Sequence, residues 1–358
     1  MAMDFKSRVR KLQQVLGSQR VNALLVTHMP NVRYLCGFTG SSGALLVGPE
    51  KATLFTDGRY TVQAREETHG ASVRIAKGSP STAAISSIAR NRPTVGIEAD
   101  HVTVTQRASL SKAAPKARLK ALSGFVERAR MIKQPDEVLQ LKAAVMLASG
   151  LFEVLLHGIK PGVAESHVAA ELEYVARRSG AQGMSFETIV ASGPRSAMPH
   201  GVASNQEIPA SGFVVLDYGV ILGGYCSDMT RTVHVGPPGR KQRGLYQAVL
   251  DAQLAAIDVV RPGVQAGKVD QAARKVLRKA GFDSYFTHST GHGVGLEIHE
   301  PPRLGRGQTE LLQPGMVITI EPGAYIPGLG GVRIEDMVLV TETGCQVLTP
   351  TSKELMIL

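Results

Sequence analysis

Cysteine is scarce in this chain. Its 358 residues include three, Cys36, Cys226 and Cys345, and their spacing fits neither a disulfide framework nor a zinc site. Few and unpatterned cysteines are typical of reducing compartments, so we expect a cytoplasmic protein. Long apolar runs are also missing: none approaches the length of a membrane span, and residues 1–8 lack the apolar core of a signal peptide. We therefore expect neither a membrane anchor nor secretion.

Dense basic runs are the third absence. The net charge is +10, from 40 Lys and Arg against 30 Asp and Glu, but the basic residues are scattered and not interleaved with aromatic ones. A nucleic-acid partner is therefore not expected. With 43% hydrophobic and 20% charged residues the composition is that of an ordinary globular protein, and the length favours two domains.

The first region, residues 1–126, has the pattern of a small α/β domain. A helix is predicted at Arg8–Ser18 from apolar residues at helical spacing. Turn residues separate short β-like runs. These lie at Ala23–Thr27, Val32–Cys36, Ala44–Val47, Ala52–Thr56, Ser72–Ala76 and Val95–Glu98. Pro135, followed by acidic residues, marks a helix start, so we predict that the second domain comprises residues 127–358.

The second region contains an internal repeat. Ile159–Val163 matches Val260–Val264, 101 positions later, and the offset then persists without a gap. It relates the apolar stripes of two amphipathic helices, Val168, Leu172, Val175 and Ala176 in one and Val269, Ala273, Val276 and Leu277 in the other. Each copy leads into strands that bear two carboxylates. The pattern predicts a duplicated domain with a pseudo-twofold axis through a shared site.

The first acidic pair is Asp217 and Asp228. They flank a run with two β-rich arms around Gly223 and Gly224, which is typical of a hairpin. A two-residue loop pairs odd positions with even ones, so both aspartates should lie on one face of neighbouring strands. A surface acid is the plain alternative for Asp217, but the apolar run before it favours a buried strand.

The second acidic pair is Glu321 and Glu335, which also lie beside β-like runs. Arg333 should share a strand face with Glu335, and a structural salt bridge is the plain alternative for that pair. Buried carboxylates are costly unless a positive charge lies among them. Four carboxylates and one imidazole, that of His292, suit a pair of hard divalent cations better than one tetrahedral zinc.

Histidines accompany the acidic residues. His292 lies between glycines in Gly291–Gly295, a run that lacks the spacing and the preceding strand of a dinucleotide-binding loop. His288 and His299 are close to it in sequence, and His200 occupies the corresponding stretch of the first half. One histidine alone is more often structural, but this concentration favours a site.

The quoted residues resemble the creatinase/prolidase/aminopeptidase family. The resemblance is carried by Gly291–Gly295, Glu321-Pro-Gly, Arg333–Asp336, Asp217 and Asp228–Arg231, and it covers nearly the whole chain. It implies an α/β (α+β) fold class, with a creatinase-like N-terminal domain followed by a duplicated "pita-bread" catalytic domain. It also implies a homodimer.

The resemblance implies roles for each position. Asp217, Asp228, His292, Glu321 and Glu335 would hold two divalent ions, most consistent with Mn²⁺, with Co²⁺ or Zn²⁺ as substitutes. Glu321 would also accept a proton from the attacking water. His200 and His299 would bind the substrate and stabilise charge on its carbonyl oxygen, Arg333 would orient the carboxylates, and His288 would line the substrate pocket.

The implied activity is hydrolysis of an Xaa-Pro bond. Gly37–Gly43 and Thr56–Tyr60 resemble proline-specific aminopeptidases more than prolidases, so an aminopeptidase that trims longer peptides is the leading expectation. The alternative is a prolidase restricted to Xaa-Pro dipeptides. Creatinase works without metals and methionine aminopeptidase lacks such an N-terminal domain, which disfavours both. A metal-free binding module of the same fold is a remote alternative.

Overall fold

A computed structural model describes residues 3–89 and 92–358 of the chain. The chain divides into two compact units, residues 1–130 and 131–358. Helices and strands alternate with loops in both units, and each unit has its own hydrophobic core. The fold is α/β, as the sequence predicts.

The first unit is built on one six-stranded sheet. Its strands are β1 (Ala23–Val26), β2 (Gly43–Val47), β3 (Ala52–Thr56), β4 (Ser72–Ile75), β5 (Thr94–Glu98) and β6 (Arg118–Leu122). Its helices are α1 (Phe5–Leu16), α2 (Met29–Cys36), α3 (Thr61–Glu67), α4 (Pro80–Ser86), α5 (Val104–Ala113) and α6 (Glu127–Met131). The strand order is β4-β3-β2-β1-β5-β6, with β1–β5, β5–β6 and β3–β4 parallel. Helix α1 starts a turn before the predicted helix because Asp4 caps it, accepting from the Ser7 amide at 3.0 Å.

One strand prediction is wrong. Val32–Cys36 lies in helix α2, whose first turn contains Pro30 and whose end is Gly37 in the left-handed conformation at φ 85°. Proline at the start and glycine just after the end are helix signals that outweigh the β propensity of a short apolar run. The other five predicted strands are confirmed to within a residue or two.

The second unit combines helix pairs with small antiparallel sheets. Its helices are α7 (Pro135–Gly150), α8 (Phe152–Gly158), α9 (Glu165–Arg178), α10 (Arg240–Asp258) and α11 (Ala266–Lys279). Its strands are β7 (Gly183–Met184), β8 (Ile189–Ser192), β9 (Gly212–Tyr218), β10 (Val220–Leu222), β11 (Tyr225–Cys226), β12 (Met229–Val235), β13 (Gly291–Gly293), β14 (Glu300–Leu304), β15 (Val317–Ile320), β16 (Gly323–Ile326), β17 (Gly330–Arg333), β18 (Asp336–Val340) and β19 (Cys345–Val347).

The structure repeats at the offset seen in the sequence. Helices α9 and α11 begin and end 101 positions apart. The glycines before them, Gly162 and Gly263, both have left-handed φ and both donate at 2.9 Å to a later carbonyl, of Ile208 and Leu312 respectively. Three antiparallel strands follow in each half, in the orders β8-β9-β12 and β13-β15-β18. The predicted duplication is therefore present in the fold.

The helical stretch Pro135–Gly158 is long and apolar enough to span a membrane by length and composition, contrary to the prediction from the sequence. It divides at Leu151 into α7 and α8. Leu141, Ala144 and Val145 of α7 are buried within the chain, and the helix contacts β10 and β11. A core helix of a globular protein has the same composition, so the stretch is explained without a membrane.

Candidate metal centre

The first acidic pair lies on a hairpin with continuous register. Asp217 of β9 is opposite Thr230 of β12, and the same register continues to Leu222 opposite Tyr225. Gly223 and Gly224 form the two-residue loop, with φ of 57° and 82°. Asp228 lies two positions from Thr230 and so shares a face with Asp217, as predicted.

The second acidic pair occupies the matching strand ends of the other half. Ile320 of β15 is opposite Asp336 of β18, and Glu321 and Glu335 are the next residues in that register. The Glu335 amide donates to the Thr230 carbonyl at 3.1 Å, which ties the second half to β12. The four carboxylates are thereby brought to one place by two strand pairs.

His292 is held as a neutral imidazole. Its Nδ1 lies 2.9 Å from the Gly293 carbonyl and donates to it, so the lone pair is on Nε2. Nε2 is 3.6 Å from an oxygen of Asp228 and 3.6 Å from one of Glu321. Burial lowers the pKa of His292 to about 4, which keeps the ring neutral and able to bind a cation.

The glycines beside His292 are required by close packing. A Cβ on Gly291 would lie 2.0 Å from the Thr319 carbonyl oxygen, and one on Gly293 would lie 2.2 Å from that of Pro301. The glycines thus let β13 pack between β14 and β15.

The carboxylates are destabilised as anions. Burial, together with the neighbouring Glu335 and Asp217, raises the pKa of Asp228 well above its usual range, and the pKa of Glu335 is raised by burial and by Glu321. Burial raises the pKa of Glu321 to about 8, although Arg333 opposes the shift. A site that must hold these groups ionised therefore needs additional positive charge.

Two oxygens identify where that charge would lie. Asp217 Oδ1 and Glu335 Oε1 are buried, and neither has a hydrogen-bond partner among the described residues. Their second oxygens are satisfied, since Arg333 donates to Asp217 Oδ2 and Thr230 donates to Glu335 Oε2 at 2.8 Å. Ligand atoms of Asp228, His292 and Glu335 all lie within 4.8 Å of one another. Unpaired buried oxygens around one neutral imidazole fit divalent cations.

Arg333 holds the ligands in place through hydrogen bonds to the residues around them. Its Nε donates to Thr230 Oγ1 at 3.1 Å, and one terminal nitrogen donates to Tyr325 Oη at 2.6 Å. Tyr325 lies 2.9 Å from His288 Nε2, and His288 Nδ1 lies 2.8 Å from the Ser289 carbonyl. Burial lowers the pKa of His288 to about 3, so the neutral ring donates from Nδ1 and accepts a hydrogen bond from the Tyr325 hydroxyl at Nε2.

The residues that the sequence analysis selects line one cavity of about 790 Å³. They are Asp217, Asp228, His292, Glu321, Glu335, His200, His288, His299 and Arg333. The His299 ring packs edge-on against His292, with centroids 4.4 Å apart, and burial lowers its pKa. His200 is exposed and lies in the loop after Gly193–Ala197, where the neighbouring Pro199 carbonyl accepts from Arg333 at 3.0 Å.

Sequence reasoning missed four residues of the site. Tyr325 and Thr230 support the ligands, whereas Arg303 and Glu187 line the cavity. The face of the sheet on which Arg303 lies depends on the strand register. Arg303 is directly opposite His292 in the β13–β14 pair, next to an irregularity between His292 and Gly293. A basic residue on a strand that follows a cluster of histidines was the available signal.

Comparison with known proteins identifies both units. Residues 140–342 match the family described as metallopeptidase family M24, and residues 8–132 match the creatinase/prolidase N-terminal domain. An Xaa-Pro dipeptidase of Pyrococcus furiosus is 38% identical over 98% of this chain and 100% of its own length.

Solved structures show the same likeness. The Xaa-Pro dipeptidase from Bacillus anthracis superposes with a TM-score of 0.95 at 40% identity, covering 99% of this chain and 100% of the other. The X-Pro aminopeptidase from Thermotoga maritima has a TM-score of 0.90 at 33% identity, covering 97% of this chain and 100% of the other. The resemblance drawn from the sequence is confirmed: this chain is a peptidase that belongs to metallopeptidase family M24.

Proposed function

We propose that the protein is an Xaa-Pro dipeptidase, a prolidase. The leading expectation from the sequence, an aminopeptidase that trims longer peptides, is the less well supported reading. Relatives named as Xaa-Pro dipeptidases reach 38% and 40% identity over essentially the full chain, against 33% for the X-Pro aminopeptidase. The short Gly37–Gly43 and Thr56–Tyr60 patterns are too small a part of the chain to outweigh that difference.

Arg303 is the observation that supports a dipeptide substrate. It is exposed, lines the cavity, and faces the same side of the sheet as His292 because the two are paired in register. Within residues 3–89 and 92–358 its guanidinium takes part in no hydrogen bond or ion pair. A free guanidinium binds a carboxylate through two parallel hydrogen bonds. In a dipeptide the C-terminal carboxylate lies one residue from the bond that is cut.

Asp217, Asp228, His292, Glu321 and Glu335 would hold two divalent ions. Their mainly oxygen ligands favour Mn²⁺, with Co²⁺ or Zn²⁺ as substitutes. Such ions lower the pKa of water and polarise a carbonyl when they are bound. The buried oxygens of Asp217 and Glu335 that lack a partner among the described residues support bound cations at this site.

The remaining side chains would bind and orient the substrate. Glu321, whose carboxylate borders the cavity, would accept a proton from the attacking water and pass it to the proline nitrogen. His200 and His299 would donate hydrogen bonds to the oxygen of the scissile carbonyl. An Xaa-Pro bond has no N–H, so recognition must rely on that oxygen and on the termini.

The test compares substrates that differ only at the C-terminus. Ala-Pro, its amide and a tetrapeptide beginning Ala-Pro are incubated with protein and Mn²⁺, and kcat/KM is measured. We expect Ala-Pro to be cleaved best, and Arg303→Met to raise its KM by about 10- to 100-fold. Arg306→Met is the matched control, because Arg306 is also exposed but is not among the described residues that line the cavity.

Equal cleavage of the acid, the amide and the tetrapeptide would favour the aminopeptidase reading. Failure to cleave any of them with Mn²⁺ present would exclude both readings and favour the binding module. Chelation should remove the metal and the activity together.

Other properties stay predictions. We assign the creatinase-like domain to residues 1–126 and the catalytic domain to 127–358, and we expect a homodimer. We also expect a cytoplasmic location, because the spacing of the three cysteines fits no disulfide framework. Size-exclusion chromatography with light scattering would measure the oligomer.

A further inference from the structure

His200 differs from the other cavity histidines in how it is held. The rings of His288 and His292 are fixed by hydrogen bonds, and His299 packs on His292. The His200 ring makes no hydrogen bond or ring contact within the described part of the chain. Its position therefore depends on the backbone of the loop that carries it.

One carboxylate closes that loop. Glu165, the first residue of α9, has a fully buried side chain. Its Oε1 accepts from the amide and the hydroxyl of Ser192, at 2.7 and 2.8 Å, where the loop begins. Its Oε2 accepts from the amide and the hydroxyl of Ser204, at 3.3 and 2.9 Å, where the loop ends. His200 lies between these two points.

Arg195 adds a second connection within the loop. One of its terminal nitrogens forms an ion pair with Glu165, and the other donates to the Val202 carbonyl at 2.9 Å. The carbonyl of His200 itself accepts from the Val202 amide at 2.9 Å. A charge-assisted bond thus connects Glu165 to the turn that contains His200.

The other half of the repeat lacks this arrangement. The position equivalent to Glu165 is Ala266, which is buried. There the carboxylate is Asp270, which pairs with Arg274 at 2.8 Å and accepts from Thr290 at 2.9 Å. Arg274 in turn donates to the carbonyls of Phe286 and His288. Asp270 therefore serves a different segment, that of His288.

We propose that Glu165, with Arg195, is the positioning residue for His200, so that it acts on catalysis only through that histidine. The buried carboxylate keeps the loop closed, and the closed loop keeps the imidazole at the cavity wall. The proposal rests on the role given to His200 under the proposed function. It predicts that the effect of removing Glu165 disappears when His200 is already absent.

A double-mutant cycle tests this prediction. Glu165→Gln replaces one of the two acceptor oxygens with an NH2 group, which faces either the donors of Ser192 or those of Ser204 and Arg195. We expect it to lower kcat on Ala-Pro by about tenfold, with metal content unchanged. In a His200→Ala background the same substitution should change kcat by less than about twofold. Asp270→Asn is the control, and its effect should be the same in both backgrounds.

A milder variant, Arg195→Gln, tests the proposal if Glu165→Gln does not fold. The Arg195 side chain is 23% exposed, and Glu165 keeps its serine donors without it, so Arg195→Gln should fold. It should show the same dependence on His200 with a smaller effect. An equal loss of kcat in both backgrounds, for either variant, would overturn the proposal and make the network merely structural.

A spectroscopic readout separates this inference from the proposed function. The imidazole NMR signals of His200 should shift and broaden in Glu165→Gln and stay unchanged in Asp270→Asn. Unchanged His200 signals in Glu165→Gln would overturn the inference whatever the activity. A wild-type protein that fails to cleave Ala-Pro would instead refute the proposed function alone.

Discussion

In each half of the catalytic unit two carboxylates come from one hairpin, but the second half adds a third candidate ligand from a separate strand. Asp217 and Asp228 are joined by the turn at Gly223–Gly224. Glu321 and Glu335 are likewise joined by a hairpin, because the register of β15 with β18 continues into that of β16 with β17, whereas His292 lies on the separate strand β13. The shared backbone path fixes the carboxylates, and the imidazole is an addition of one half. Duplication thus provides a symmetric frame in which the chemistry is asymmetric.

The largest effect should come from Asp228 and Glu335, equivalent carboxylates of the two halves that lie in one cluster with His292. Asp228→Asn and Glu335→Gln remove equivalent charges from the two halves, and each should lower kcat/KM by roughly 10³-fold because cation binding and charge stabilisation are both lost. Steady-state kinetics with excess Mn²⁺ and metal analysis measure this. A difference of more than about tenfold between the variants would show that the halves contribute unequally even here.

His292→Ala should separate the two cation positions. We expect one ion to bind at least about 100-fold more weakly while the other, held by carboxylates alone, changes little. Calorimetric titration of the metal-free protein with Mn²⁺ measures both. Equal weakening of the two positions would contradict the asymmetry.

The pH dependence of metal binding follows from the carboxylates. In the metal-free protein the pKa of Glu321 is raised from 4.5 to about 8, so a bound proton must leave before a cation enters. Affinity for Mn²⁺ should therefore rise with pH until about pH 8. Titration at several pH values checks this, and an affinity independent of pH would mean that the carboxylates are already ionised.

The same shift has a consequence for stability. A carboxyl group whose pKa is raised on folding contributes stability that is complete below its unfolded value of 4.5 and is lost as the pH rises through about 8. Thermal unfolding of metal-free protein should accordingly occur at lower temperature above that pH. Metal-loaded protein serves as the comparison, because the cations keep the carboxylates ionised.

The smallest effects on activity should come from exchanging equivalent core positions, whose cost falls on stability. Leu172 in α9 corresponds to Ala273 in α11, and both are fully buried. Leu172→Ala should cost about 2–5 kcal/mol of stability through the cavity it leaves. Ala273→Leu should cost about 1–3 kcal/mol through overpacking. Thermal unfolding measures both, and a neutral exchange would mean that the two helices pack alike.

Local patterns made most of the site predictable. Two glycines between β-rich arms predict the hairpin. The spacing of apolar residues is enough to recognise the unbroken offset between α9 and α11. The helix at Val32–Cys36 was missed because its decisive signals, Pro30 and Gly37, flank the run rather than lie in it.

Contacts between distant residues could not be predicted. The face of the sheet on which Arg303 lies depends on an irregular register. The hydrogen bond between Tyr325 and His288 joins residues 37 positions apart. Glu165 is 39 residues from Ser204, so only folding shows that it closes the loop. Such contacts are set by tertiary packing, for which propensity and spacing carry no information.

The number of residues in the hairpin around Gly223–Gly224 determines whether both aspartates face the metal centre. Because side chains alternate between the faces of a strand, one residue inserted into or deleted from either arm between Asp217 and Asp228 would turn one aspartate away from the other. Substitutions in the loop change only how readily the turn forms, whereas one residue more or fewer in an arm would remove a ligand. In this part of the chain the number of residues is a stricter requirement than their identity.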